Sequence, residues 1–301
     1  MNMKPLIISV LLAPGLASAG TPINETREVD ATARIEVSNV KGAVNVSAWD
    51  RNEVAISGSL GDGAKRLAID GGRGSLSIRV EGPDKSKGFL NWGSDSSMQE
   101  TILDLKVPRA AALEIGVVSA EVAVSDTAGG NMQVDSVSGR IRLASVQTPR
   151  LRLESVSGDI DFQGRSDDAS VETVSGDLIA RGVGGRTRAE TVSGSLRITA
   201  NSPFKQFDAS SVSGDMEVTG ALASGARVEI ETMSGDVRLN LPASVSARIT
   251  AESFSGTLRT DFGTVRKPEH GPGSSLDATA GSGDGEISVD SFSGDVTIRK
   301  E

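Results

Sequence analysis

The stretch ESVSGDIDF, residues 154–162, decides the fold, because its pattern returns throughout the C-terminal two thirds of the chain. A tetrapeptide of the form Ser/Thr-apolar-Ser-Gly occupies residues 136–139, 155–158, 173–176, 191–194, 211–214, 232–235, 253–256 and 291–294. Its glycines are Gly139, Gly158, Gly176, Gly194, Gly214, Gly235, Gly256 and Gly294, at intervals of 19, 18, 18, 20, 21, 21 and 38 residues. A period near 20 is that of a stacked coil, in which each repeat is stable only against its neighbours. These eight glycines are the structural residues of the repeat.

Aligned on the glycine, the repeats form columns. Five positions before it stand apolar residues such as Leu153, Val171 and Ile230. Apolar residues also fill the position two after it (Ile160, Leu178, Val237) and, with Thr260 the exception, the position four after it (Phe162, Ile198, Leu239). Alternation of this kind on both sides of the glycine predicts two short strands per repeat, each with one buried face. The alternation changes phase between the Ser/Thr and the apolar residue that follows it. On this reading Val156 and its equivalents run in step with Ile160 and Phe162. A corner or bulge is expected there, with glycine supplying backbone freedom. Helix is excluded, since no 3.6-residue spacing is present.

Strands that recur once per coil pair in parallel with their equivalents, and the expected fold is all-β. It is a single-stranded parallel β-helix, or β-solenoid, right-handed by the crossover rule, with coils following one another in sequence. Residues 1–19 read as a signal peptide: Lys4, an apolar run over residues 6–13, then Ala17-Ser18-Ala19. Residues 20–110 read as a β-rich N-terminal cap or irregular opening coils, and residues 111–301 as the repeats, with a loop insertion at about 263–285 containing His270. A second polar loop, residues 82–98, carries Phe89, Leu90 and Trp92. The charged end Arg299-Lys300-Glu301 is expected to discourage end-to-end stacking.

A net charge of −9, from 40 acidic and 31 basic residues, disfavours nucleic acid and anionic headgroups. Tyrosine is absent and aromatic residues make up 3%, which counts against a stacked-ring glycan surface. Cysteine is absent, so disulfides and zinc-thiolate sites are excluded. No transmembrane segment is expected in the mature chain.

Two acidic columns are the main candidates for chemistry. Four before the glycine lie Glu154, Glu172 and Glu190 among others; one after it lie Asp159 and Asp177. Carboxylates are hard ligands for divalent cations, which makes these five weak cation candidates. The competing reading is a solvated ladder neutralised by Arg142, Arg152, Arg188, Arg197, Arg238 and Arg259. The Ser/Thr columns read as hydroxyl ladders serving corner backbone groups. One histidine cannot activate eight serines, and no nucleophile elbow, phosphate loop or dinucleotide fingerprint is present. No catalytic residues and no cofactor are assigned.

The set of S/T-V-S-G-D-[IVL]-x-[IVL] units, the Leu-x-Val/Leu-Pro elements at Leu105 and Leu239, and Gly283-Asp284-Gly285-Glu286-Ile287-Ser288-Val289 resemble a bacterial exported family of unknown function labelled putative adhesin. The resemblance covers roughly residues 30–301. It implies a β-strand-repeat solenoid in the cell envelope, periplasmic or at the cell surface, and it implies no activity. The expected function is that of a non-enzymatic, adhesin-like binding or scaffold protein. Its partner would be an unknown protein or polysaccharide of the envelope. The alternatives are a polysaccharide lyase or hydrolase on a β-helix and a calcium-stabilised structural rod.

Overall fold

The computed structural model describes residues 20–82 and 98–301. The expected signal peptide and Phe89, Leu90 and Trp92 of the polar loop at residues 82–98 lie outside the described residues. Among those described there is no helix, and 21 strands join in one sheet that winds into a β-solenoid-like stack.

The repeat columns are structural registers. β10 (Leu151–Ser155) pairs in parallel with β8 (Met132–Ser136) on one side and with β11 (Ile160–Thr173) on the other, matching Leu153 with Val134 and Val171. The second strand of the coil behaves likewise: Ile160 pairs with Ile141 of β9 (Ile141–Gln147) and with Leu178 of β12 (Leu178–Thr191). The columns five before, two after and four after the glycine all point inward, Thr260 again the exception. The core is thus a continuous aliphatic stack in which Phe162, Phe204 and Phe207 are the largest buried side chains.

The corner explains the motif chemically. The amides of the apolar residue and of the serine after it both donate to the preceding coil, Val156 N to Ser136 O at 3.1 Å and Ser157 N to Val137 O at 2.9 Å. Beyond the corner, the direction reverses, and Ile160 N donates to Asp177 O of the following coil at 2.8 Å. The reversal strands two amides per coil, that of the glycine and that of the residue after it. Buried backbone donors must find partners. The glycine N–H is taken by the Ser/Thr three before it, which turns its hydroxyl inward: Gly158 N to Ser155 Oγ at 2.9 Å, Gly176 N to Thr173 Oγ1 at 3.1 Å. Where the preceding coil carries an aspartate one after its glycine, that carboxylate takes the next amide: Asp177 N to Asp159 Oδ1 at 3.2 Å, Ser195 N to Asp177 Oδ1 at 2.9 Å. The serine before the glycine braces the opposite side, Ser157 Oγ donating to Val137 O at 3.1 Å.

Thr173→Val keeps the shape of that inward side chain and removes the acceptor of a buried amide. A loss of about 1–3 kcal/mol is expected, measured by urea denaturation, with Thr173→Ser recovering most of it.

Glycine is required here for space rather than for backbone freedom. None of the eight repeat glycines has positive φ. A Cβ on Gly176 would stand 2.2 Å from Gly158 O, and one on Gly194 1.9 Å from Gly176 O.

The order of coils departs from expectation at the C-terminal end. β20 (Gly285–Ser291) lies between β15 (Leu222–Thr232) and β17 (Ala247–Ser253), parallel to both. β21 (Val296–Lys300) likewise lies between β16 (Val237–Leu241) and β18 (Leu258–Thr260). The last coil in sequence is therefore next to last in the stack. Arg299 and Lys300 lie within the sheet or at its margin, and they do not form the end face the sequence reading gave them. The segment read as a loop insertion contains β19 (Ser274–Ala280), which runs antiparallel along β17 and covers its free edge.

The opposite end is built in a similar way. β2 (Arg34–Trp49) pairs on one side with β7 (Ala112–Ser125) and on the other with the later strands β5 (Ser75–Glu81) and β6 (Thr101–Pro108). Antiparallel strands then close the edges: β4 (Arg66–Gly72) on β5, β3 (Glu53–Leu60) on β6, and β1 (Thr21–Glu28) on β3. Covered edges block strand-to-strand aggregation.

Candidate functional site: an apolar ridge beside an acidic wall

Because the Ser/Thr hydroxyl turns inward at the corner, the apolar residue after it is forced outward. This corrects the reading that put Val156 and its equivalents in the inward phase. In stack order the column runs Val118, Val137, Val156, Val174, Val192, Val212, Met233, Phe292, Phe254, and every member is 46–60% exposed. The rings of Phe292 and Phe254 stack at 5.1 Å between centroids, 10° apart in plane. Isolated exposed apolar side chains need no explanation; a contiguous ladder of them does.

The column four before the glycine runs parallel to this ridge and forms the other wall of a groove. Asp135, Glu154, Glu172 and Glu190 line one hollow with Val137, Val156, Val174 and Val192. Glu231, Asp290 and Glu252 line a second with Met233, Phe292 and Phe254. The two hollows share Thr191, Ser210 and Val212, so the groove is continuous. At its C-terminal end Arg266, Lys267 and Pro268 from the segment before β19 also line it.

The five cation candidates do not come together. Glu154, Glu172 and Glu190 follow one another in register along the groove. Asp159 and Asp177 lie beyond the corner, in the column that takes backbone amides. Glu154 pairs with Arg152 and Glu190 with Arg188, while Glu172 takes a hydroxyl from Ser170 at 3.3 Å. Asp159 pairs with Arg140 at 3.1 Å. Arg259 holds Asp295 at 3.1 Å and Arg197 holds Glu217 at 2.9 Å. Among the described residues, no group of three His, Cys, Asp or Glu side chains is placed to hold a metal ion.

Two carboxyls are perturbed. Burial pushes Asp135 above the usual carboxylate range, with Gln133 hydrogen bonding opposing it. Asp295 is held below that range, first by the Thr257 backbone N–H at 2.7 Å and then by Arg259. A carboxyl depressed on folding adds stability that is complete above its unfolded pKa of about 3.9 and disappears as pH falls through the folded value. Asp295→Asn is therefore expected to flatten the loss of melting temperature below about pH 4 relative to the parent chain.

The family model described as Toastrack DUF4097 matches residues 32–299. The chain belongs to that family. No curated protein matches it. Among solved structures, a protein of Parabacteroides distasonis named a putative lipid binding protein is 15% identical, with 94% of this chain and 97% of that one covered at a TM-score of 0.53. A putative adhesin of Bacteroides fragilis is 12% identical, over 92% and 97% of the two chains, at a TM-score of 0.41. For this Toastrack DUF4097 chain the first of these likenesses concerns the fold alone. Among the described residues, no helix is long and apolar enough to cross a membrane.

Sequence reasoning had named the acidic column of the groove and missed its apolar wall. The available signal was chemical: a Ser/Thr that must reach a glycine amide inside the corner cannot be followed by another inward side chain. Arg266 and Lys267 carried no such signal.

Proposed function

We propose that this chain is a non-enzymatic binding or scaffold protein of the cell envelope, adhesin-like in presenting a long rigid flank to a partner. The carrying observation is the unbroken exposed ridge from Val118 to Phe254 beside its acidic wall. Even spacing of the carboxylates along the stack supports binding over catalysis, since hydrolysis needs one convergent constellation. The name of the Parabacteroides distasonis neighbour, a lipid binding protein, is consistent with a non-enzymatic role. Export to the periplasm or cell surface rests on the signal-like residues 1–19. The winding is taken as right-handed by the crossover rule, with residues 20–110 serving as the N-terminal cap and opening coils.

The test is retention of envelope proteins and polysaccharides from a cell-envelope extract on the immobilised chain, with and without calcium. Retention without cleavage of any polymer, lost in the double variant Val156→Asp/Val174→Asp, is the expected result. Bond cleavage by the purified chain would overturn it.

A further inference from the structure

We infer that the groove is a docking site for a cationic amphipathic α-helix, whose apolar stripe lies on the ridge and whose Lys or Arg residues face the acidic wall. The inference rests on the binding role proposed above and names the chemistry of the partner.

Charge selects among the possible occupants. Among the described residues, Glu172, Glu231, Glu252, Asp135 and Asp290 make no ion pair, and Asp290 receives only a hydroxyl from Ser288 at 3.1 Å. Glu231, Asp290 and Glu252 sit in register on consecutive coils, directly beside Met233, Phe292 and Phe254. Three neighbouring carboxylates about 4.8 Å apart repel one another, and a cationic partner relieves that repulsion. A second copy of this chain would bring two acidic walls together, and an anionic lipid surface would meet the same wall. Neither complements it. The cations Arg266 and Lys267 flank only the C-terminal end of the groove. There they suit acidic residues at one end of the helix and give the site a direction.

Spacing selects the conformation. The ridge repeats at about 4.8 Å. A helix with an apolar residue every three or four positions presents one about every 5.3 Å along its axis. An extended peptide offers same-face side chains about every 6.7 Å. The helix stays near register over several coils with a slight tilt, whereas the strand is out of step after two or three. From Val118 to Phe254 the ridge spans about 38 Å, the length of a helix of about 25 residues.

The probe is a capped 18-residue Leu/Lys peptide with a single apolar stripe, titrated calorimetrically into the purified chain. Its Leu/Glu counterpart and vesicles of phosphatidylglycerol are the controls. Micromolar binding of the Lys peptide is expected, falling at least tenfold between 50 and 500 mM salt, about as screening requires, with no binding of either control. The triple variant Glu231→Gln/Asp290→Asn/Glu252→Gln should weaken binding about tenfold and reduce the salt dependence. Val156→Ser/Val174→Ser should weaken it about as much and leave the salt dependence intact, roughly as lost apolar contact requires. Equal binding of the Glu peptide, preference for vesicles, or variants within twofold of the parent would each overturn the inference. Retention of an envelope partner by a chain that ignores the Lys peptide would sink this inference alone, leaving the broader binding role standing; failure of both experiments would sink both.

Discussion

Removal of residues 285–301 is expected to unfold far more than one coil. In a stack laid down in sequence order, losing the last repeat would expose one interface and shorten the rod. Here β20 and β21 separate two other coils, and Ile287, Val289, Val296 and Ile298 are fully buried between them. Losing four such side chains forfeits on the order of 6–12 kcal/mol of apolar burial, comparable with the whole stability of a typical domain. β17 and β18 would lose their parallel partners, and β19, whose strand partner is β17, would go with them. Hydrogen exchange should show protection lost over residues 247–280 and at the newly exposed edge of residues 227–241, with the central coils still protected. A truncated chain that kept slow exchange over residues 247–260 would show that those strands can dock directly on β15 and β16, contrary to this expectation.

Gly176→Ala is expected to cost about 2–3 kcal/mol, toward the upper end for overpacking. The added carbon would stand 2.2 Å from Gly158 O, and the obstacle is backbone on a coil that is itself fixed from both sides. The matched control is Gly116→Ala in β7, where a Cβ would meet nothing within 4 Å. That change should be neutral or slightly stabilising, because glycine weakens a strand interior. The column does admit one native alanine, Ala120, which pairs with Gly42 of β2. It stands at the N-terminal end, where the neighbouring coil is β2 and lacks the Ser/Thr-apolar-Ser-Gly motif. Urea midpoints of the two variants measure the contrast, and equal midpoints would remove close approach as the reason for glycine.

Much of this architecture is legible in the sequence because a column of like residues is a direct statement of register. Leu153, Val171 and Ala189 align in the text and again in the sheet. What a column cannot state is neighbour order. Ile287 and Val289 fit against Val228 and Ile230 as well as they would fit at the end of the stack, so the interposed last coil leaves no local trace. β19 was legible in part, since Leu276, Ala278 and Ala280 alternate, but its Ser/Gly-rich surroundings carry the stronger loop signal. The groove was half legible. Its carboxylates stand out as a column, while the outward turn of the valines depends on where the Ser/Thr hydroxyl points, and that is decided by an amide stranded when the hydrogen-bond direction reverses.

Both extremities of the stack place a later segment of chain outside or between earlier ones, and antiparallel strands close both. The stretch between them, from β8 through β14 (Met216–Thr219), has no such crossings: the strands of each coil pair only with those of the one before and the one after. Length is consequently adjustable in one place only. Duplicating an 18-residue unit such as residues 159–176 would lengthen the middle by about one strand spacing, 4.8 Å, and leave both terminal assemblies untouched, whereas the same insertion near either end would have to be threaded through a closed arrangement. The molecule is modular in its interior and fixed at its margins.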